Sequence, residues 1–213
     1  MRRIAVTTRV FVPDSRCERW DCLDQALARL LIEGDCLPIP VPNVLAAPSI
    51  FFDDLGIDGL VLSGGNDTGL ASTTEGTAPE RDRLEAQLVD IAAGRGAPVL
   101  GICRGAQVLH ALAGGRLVQD DRHVARPHRV HVVGPAPADW PERFDVNSFH
   151  RWVIPSDDLA DGLRPLALAD GGASVEAFVH REQPFLGVMW HPERVGVPEA
   201  TARALVAWLR GDR

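Results

Sequence analysis

Cys103 stands in Gly101-Ile102-Cys103-Arg104-Gly105, behind the apolar run Pro98 to Ile102 and ahead of the apolar segment Ala106 to Leu112. A G-x-C-x-G pentapeptide between a strand and a helix has the form of a nucleophile elbow. Such a turn strains the backbone of its central residue, and the positions two before and two after must be small because the chain folds sharply against itself. The elbow sets the thiol at a helix N-terminus, where unpaired amides and the helix dipole favour thiolate over thiol. The Arg104 amide is then placed to hold a developing oxyanion. A thiolate nucleophile also needs a base and a third group that orients the base. His191 and Glu193, in Trp190-His191-Pro192-Glu193 after the apolar run Phe185 to Met189, lie two residues apart on one side of an extended chain, with Pro192 restricting the link. The chemistry open to such a trio is acyl transfer through a thioester.

The remaining candidates are weaker. His150 has Trp152, not a carboxylate, two residues on, and fits a supporting place near the substrate better than the base. His123, His128 and His131 have no Cys or carboxylate at zinc-like spacing, so no metal site is expected. His110 and His180 read as structural. Cys17, Cys22 and Cys36 form no CxxC pair and read as small buried hydrophobes.

The elements that must position these groups follow from periodicity. Ile4 to Thr7, Leu37 to Val41, Gly59 to Leu62 and Pro98 to Ile102 are strand-like runs. Leu23, Leu27, Leu30 and Leu31 recur at helical spacing before Gly34, and a helix spans about Glu80 to Ala93 with Leu84, Leu88 and Ile91 on one face. Gly59 to Leu62 runs directly into a glycine turn, Ser63-Gly64-Gly65-Asn66-Asp67. This alternation predicts an α/β fold of flavodoxin-like, doubly wound type: a mainly parallel central sheet flanked by helices. After a stretch rich in His, Arg and Pro, from His123 to Trp140, extended runs near Arg143 to Ile154, Ser174 to His180 and Phe185 to Trp190 read as antiparallel or edge-like, a small extension in the C-terminal half. Glu199 to Leu209 closes the chain as a helix. With no repeat or linker, residues 1–213 are expected to form one domain.

Composition excludes several functions. The 22 basic residues are all Arg, against 29 acidic ones, for a net charge of −7, so a nucleic-acid footprint is missing. Without any Lys the chain has no Schiff-base amine, no lysine-anchored cofactor and no P-loop lysine, and no cofactor is expected. Apolar runs fall far short of the roughly 20 residues of a membrane helix. The start, MRRIAVTTR, lacks a signal-peptide apolar region. A cytoplasmic location away from membranes is the expectation.

Four segments together resemble the class I (triad) glutamine amidotransferases, and within them the γ-glutamyl hydrolase branch: Leu62 to Asp67, Pro98 to Gln107, Val146-Asn147-Ser148-Phe149-His150, and Gly187 to Glu193. The resemblance implies Cys103 as nucleophile, His191 as base and Glu193 as the orienting acid. It further implies Gly65 as donor of a second oxyanion amide beside Arg104, with Gly64 allowing the turn, and Gln107 with the backbone after His150, at Arg151 and Trp152, as holders of the glutamyl amino-acid end. A narrower likeness, to hydrolases of γ-glutamyl-CDP-amidate, rests on Arg9, Asp14, Ser15, Glu18, Cys22 and Leu23 and on the pair Arg81-Asp82. A phosphate-bearing leaving group suits guanidinium forks, which makes Arg9, Arg16, Arg19, Arg122, Arg126 and Arg129 candidates to bind it. The implied partner is a small γ-glutamyl substrate. A glutaminase subunit feeding ammonia to a synthase is the alternative, a redox or non-enzymatic relative with an elbow cysteine a more distant one, and a synthase or a second copy of the chain would be the protein partner.

Overall fold

In a computed structural model, described over residues 1–13, 17–70, 76–137 and 139–212, the strand-like and helical runs take their places around one large sheet. In chain order the elements are β1 (Arg2–Thr7), β2 (Arg9–Phe11), β3 (Trp20–Cys22), α1 (Gln25–Glu33), β4 (Cys36–Val41), α2 (Pro48–Leu55), β5 (Gly59–Leu62), α3 (Pro79–Arg95) and β6 (Val99–Ile102). They continue with α4 (Arg104–Leu112), β7 (Val118–Gln119), β8 (His128–Val132), β9 (Arg143–Val146), β10 (Trp152–Pro155), β11 (Leu163–Ala169), β12 (Ser174–His180), β13 (Phe185–Val188) and α5 (Glu199–Arg210). The sheet order is β4-β1-β5-β6-β13-β12-β11-β8-β9, with β10 paired to β12 and β7. The first five strands are mutually parallel, and β12, β11, β8 and β9 follow antiparallel.

Period-two alternation explains why helices cover both faces of the parallel part. Ile4, Val6, Leu100, Ile102 and Val188 point to one side, where α1 (Leu27, Leu31) and α5 (Leu205, Leu209) pack. Ala5, Leu60, Leu62 and Val99 point to the other, against Phe52 of α2, Leu84 and Leu88 of α3 and Val108 of α4. The start of α1 is set by Asp24, whose carboxylate accepts from the Ala26 amide at 2.9 Å, and its end by Gly34.

Three expectations are corrected. The run Phe185 to Trp190 is not edge-like: β13 lies in the middle of the sheet, parallel to β6 on one side and antiparallel to β12 on the other. Every residue of β13 is buried, as a strand covered on both faces requires. The run Arg143 to Ile154 is broken into β9 and β10, because Asn147 turns its amide to the backbone near His191. The antiparallel extension is also larger than anticipated, since the His- and Arg-rich stretch itself supplies β8. The helix α2 had signals that sequence reading passed over, a proline at its N-terminus and the left-handed Gly56 at its C-cap. Among the described residues, no helix is long and apolar enough to cross a membrane.

Candidate active site

Three neighbouring parallel strands, β5, β6 and β13, end at the same edge of the sheet, with Leu62 beside Gly101 and Ile102 beside Val188. The segments that follow them therefore emerge side by side: the loop Ser63 to Asp67, the Cys103 elbow and the His191 segment. Crevices beyond the carboxyl ends of such strands are where open α/β sheets bind ligands.

Cys103 has φ 52° and ψ −106°, a left-handed region that ordinary side chains avoid. Its neighbours explain why the turn is tolerated: a Cβ on Gly105 would sit 2.1 Å from the Leu62 carbonyl oxygen, and one on Gly101 would sit 2.7 Å from the Gly105 backbone. The Cys103 amide donates to the Val188 carbonyl at 2.7 Å, tying the elbow to β13. The side chain is 8% exposed and lines a cavity of about 540 Å³.

His191 is held from behind. Its amide donates to Asn147 Oδ1 at 2.9 Å and its carbonyl accepts from Asn147 Nδ2 at 2.9 Å. Its Nδ1 lies 2.7 Å from Glu193 Oε1, which assigns the proton there to the carboxylate side and leaves the other nitrogen for the thiol, with which the ring is hydrogen-bonded. Burial alone would raise the Cys103 thiol, but the hydrogen bond with His191, the charges of His191 and His150 and the Arg104 amide outweigh it and hold the thiol below its ordinary value. Burial likewise opposes charge on His191, yet Cys103 and Glu193 raise its pKa to about 9. Both shifts favour the thiolate–imidazolium form of the pair over the neutral one.

The loop facing this pair is fixed by a fully buried guanidinium. Arg81 Nη2 donates to the Ser63 carbonyl at 2.6 Å and to Ser63 Oγ at 3.0 Å, and Nη1 donates to the carbonyls of Gly64 at 3.1 Å and Gly65 at 3.0 Å. Because the 64–65 peptide is trans and its carbonyl faces Arg81, the Gly65 N–H points the opposite way. Arg81 Nε in turn donates to Glu85 Oε1 at 2.9 Å, and Glu85 also receives the Arg104 side chain and the Thr7 hydroxyl, the latter at 2.7 Å. Arg104 completes the set with Asp82 at 2.5 Å. Its guanidinium therefore points into the protein, and only its backbone serves the elbow. Sequence reading named the Arg81-Asp82 pair by likeness alone and missed Glu85 and Thr7. The available signal was polar residues at i and i+4 on a helix face that also carries Leu84 and Leu88.

Of the expected residues, Cys103, His191, Gly65, Arg104, Gln107, His150, Arg151, Trp152 and Arg9 line the cavity. Gly64 and Glu193 sit in an adjoining depression behind it. Gln107 Nε2 and His150 Nδ1 both approach the Trp152 carbonyl, each at 3.1 Å. Arg194 and Phe149, not anticipated, also line the cavity, the guanidinium stacked 5.2 Å from the ring centre. The other arginine candidates do not converge there: Arg19 pairs with Glu80, Arg122 with Asp120 and Arg129 with Asp145, and Arg126 is exposed away from the cavity. Asp14, Ser15 and Arg16 lie outside the described residues. His110 holds the Arg116 carbonyl and His180 the amides of Glu182 and Gln183, as structural histidines do.

The fold is that of the glutamine amidotransferases. A candidate GMP synthase component from Thermoplasma acidophilum superposes with TM-score 0.75 at 22% identity, covering 100% of this chain and 96% of that one. A glutamine amidotransferase from Thermotoga maritima does so with TM-score 0.67 at 18% identity, covering 99% and 83%. The chain belongs to the Peptidase C26 family, whose pattern matches residues 14–193, and is thereby a hydrolase acting on amide C–N bonds. It is similar to the γ-glutamyl-CDP-amidate hydrolase of Campylobacter jejuni, 31% identical over 193 residues and 90% of each chain. It is also similar to a γ-glutamyl-γ-aminobutyrate hydrolase of Escherichia coli, 31% identical over 213 residues, covering 86% of this chain and 83% of that one.

Proposed function

We propose that the chain hydrolyses a γ-glutamyl amide through a γ-glutamyl thioester on Cys103. The single observation that carries this is the hydrogen-bonded series Cys103, His191, Glu193 on a strained elbow at the floor of the cavity. The Cys103 thiolate attacks the γ-carbonyl, and the amides of Gly65 and Arg104 hold the oxyanion that forms. As the intermediate collapses, the C–N bond breaks and the His191 imidazolium gives its proton to the leaving nitrogen. The now neutral imidazole takes a proton from water, the water oxygen attacks the thioester, and glutamate leaves as the Cys103 thiolate returns. Gln107 and the backbone at Arg151 and Trp152 bind the amino-acid end of the glutamyl group. Residues 1–213 act as one catalytic domain.

A leaving group that carries phosphate, as in a γ-glutamyl phosphoramidate, is favoured by Arg9. Its side chain lies against Gly65 at the cavity mouth and makes no ion pair among the described residues. The test is glutamate release from glutamine, γ-glutamyl amines and γ-glutamyl phosphoramidates by the purified chain alone. Turnover of at least one of the latter two without any added protein, abolished by Cys103→Ala, is expected. Turnover of glutamine only, and only with a synthase present, would instead assign the role of a glutaminase that serves a synthase, and activity surviving Cys103→Ala would remove the nucleophile.

A further inference from the structure

Glu176, on β12, is fully buried, and one hydrogen bond reaches its carboxylate: Ser174 Oγ donates to Oε1 at 3.0 Å. Three imidazoles face it. His128 Nε2 lies 3.3 Å and His150 Nε2 3.8 Å from Oε2, and His123 Nδ1 lies 3.7 Å from Oε1. These contacts are long or poorly aligned: His123 Nδ1, His128 Nε2, His150 Nε2 and Glu176 Oε2 are buried without a well-formed hydrogen bond. Buried polar groups are almost always satisfied, so several of them converging on one point call for a ligand there. The sequence hides this arrangement. The nearby carboxylates in sequence, Asp120 and Asp121, are taken by Arg122 and Arg151, and the fold brings Glu176 from β12 instead. It also directs His131 elsewhere, to Asp170 at 3.9 Å, and supplies His150 in its place.

The separations suit a metal ion. Bonds of ~2.0–2.2 Å in a tetrahedral site set neighbouring donors ~3.3–3.6 Å apart, and the donor atoms of His123, His128 and Glu176 all lie within 4.8 Å of one another, close enough for small rotamer shifts to bring them around one ion. Outer supports are already in place. His150 Nδ1 donates to the Trp152 carbonyl at 3.1 Å, which turns Nε2 toward Glu176, and Ser174 fixes the carboxylate. Imidazole nitrogens with a single carboxylate favour zinc and its first-row neighbours over magnesium or calcium, which prefer all-oxygen sets.

We propose that His123, His128 and Glu176, completed by His150, bind one first-row divalent cation, zinc foremost. The site is separate from the Cys103–His191–Glu193 series, and His150 is the one residue that both lines the cavity and belongs to it. The full chain carrying Cys103→Ala, so that no active-site thiolate competes, is titrated with Co²⁺ at neutral pH. One equivalent is expected to bind with the visible d–d absorption of a four-coordinate ion and to be displaced by Zn²⁺. Glu176→Gln in that background abolishes the absorption. Because Glu176 is a buried group, His123→Asn at a partly buried position is the second variant, and it weakens Co²⁺ affinity at least tenfold with the metal-free far-UV circular dichroism unchanged. Failure to take up stoichiometric Co²⁺, or uptake indifferent to both substitutions, overturns the site.

Discussion

Replacing Arg81 by Lys tests whether the loop Ser63 to Asp67 must be held for catalysis. The guanidinium makes its contacts through three nitrogens spread in one plane: Nε to Glu85, Nη1 to the Gly64 and Gly65 carbonyls, Nη2 to Ser63. A lysine ammonium keeps the charge but has three donors on one atom and no fork. It can follow Glu85 or the loop, not both, and each buried carbonyl left without a donor costs about 1–3 kcal/mol. With the Gly64 carbonyl released, the 64–65 peptide is free to rotate and the Gly65 N–H no longer has a fixed direction. Loss of one oxyanion donor lowers kcat by about 10²–10³-fold, or ~2.7–4 kcal/mol of transition-state stabilisation. The assay compares glutamate release with alkylation of Cys103 by iodoacetamide, a displacement at carbon that builds no oxyanion. Arg81 is not among the groups that set the Cys103 thiol, so alkylation should keep its wild-type rate while kcat falls about 10²-fold and KM moves little. A folded Arg81→Lys protein with kcat within threefold of wild type would refute the reasoning. So would a parallel fall in alkylation, which would place the damage at the thiolate.

Further outcomes follow from the same geometry. A Cβ on Gly64 would lie 2.6 Å from His191 Cε1, so Gly64→Ala must displace the ring or the loop by about 1 Å; a fall of about 10²-fold in kcat/KM is expected, and near-normal kinetics with an unchanged melting temperature would contradict the placement of His191. Because the Cys103 thiol is held below its ordinary value and His191 is raised to about 9, the alkylation inflection should lie below that of an ordinary thiol. Hydrolysis should decline as the pH rises through about 9, where the imidazolium loses the proton owed to the leaving nitrogen; His191→Ala should move the alkylation inflection up toward the ordinary thiol value of 9.0, and a wild-type inflection already there would remove the ion pair. Phe178→Ala, at a fully buried ring in the middle of the sheet, should lower stability by about 3–5 kcal/mol in denaturant titration, and a loss below 1 kcal/mol would show that the core closes over the gap.

What could be read from the chain and what could not divides along the range of the interactions involved. The elbow was legible because its constraints are local: small residues flank Cys103 within five positions, and the strand and helix on either side carry their own periodicity. His191 and Glu193 were legible for the same reason, two positions apart across a proline. The central place of β13 was not, since an apolar run of four buried residues reads alike whether its neighbours are parallel, antiparallel or absent, and only the pairing with β6 and β12 decides. The clamp on the Gly64–Gly65 peptide was hidden because a buried Arg looks in sequence like any charged residue at the start of a helix. Burial changes its meaning: Arg81, Glu85, Arg104 and Asp82 are individually costly to take out of water, and removing any one leaves another charged group uncompensated. Such a lattice is a poor way to gain stability over an apolar core. It is a good way to give a backbone loop a single conformation, because each carbonyl it holds has one donor at one distance. The same logic holds at Glu176, where the carboxylate and the imidazoles come from β12, β8, the turn before β8 and the loop before β10. Long-range electrostatics, invisible to periodicity, thus sets the parts of this molecule on which its chemistry depends, while the hydrophobic pattern sets the frame that brings them within reach.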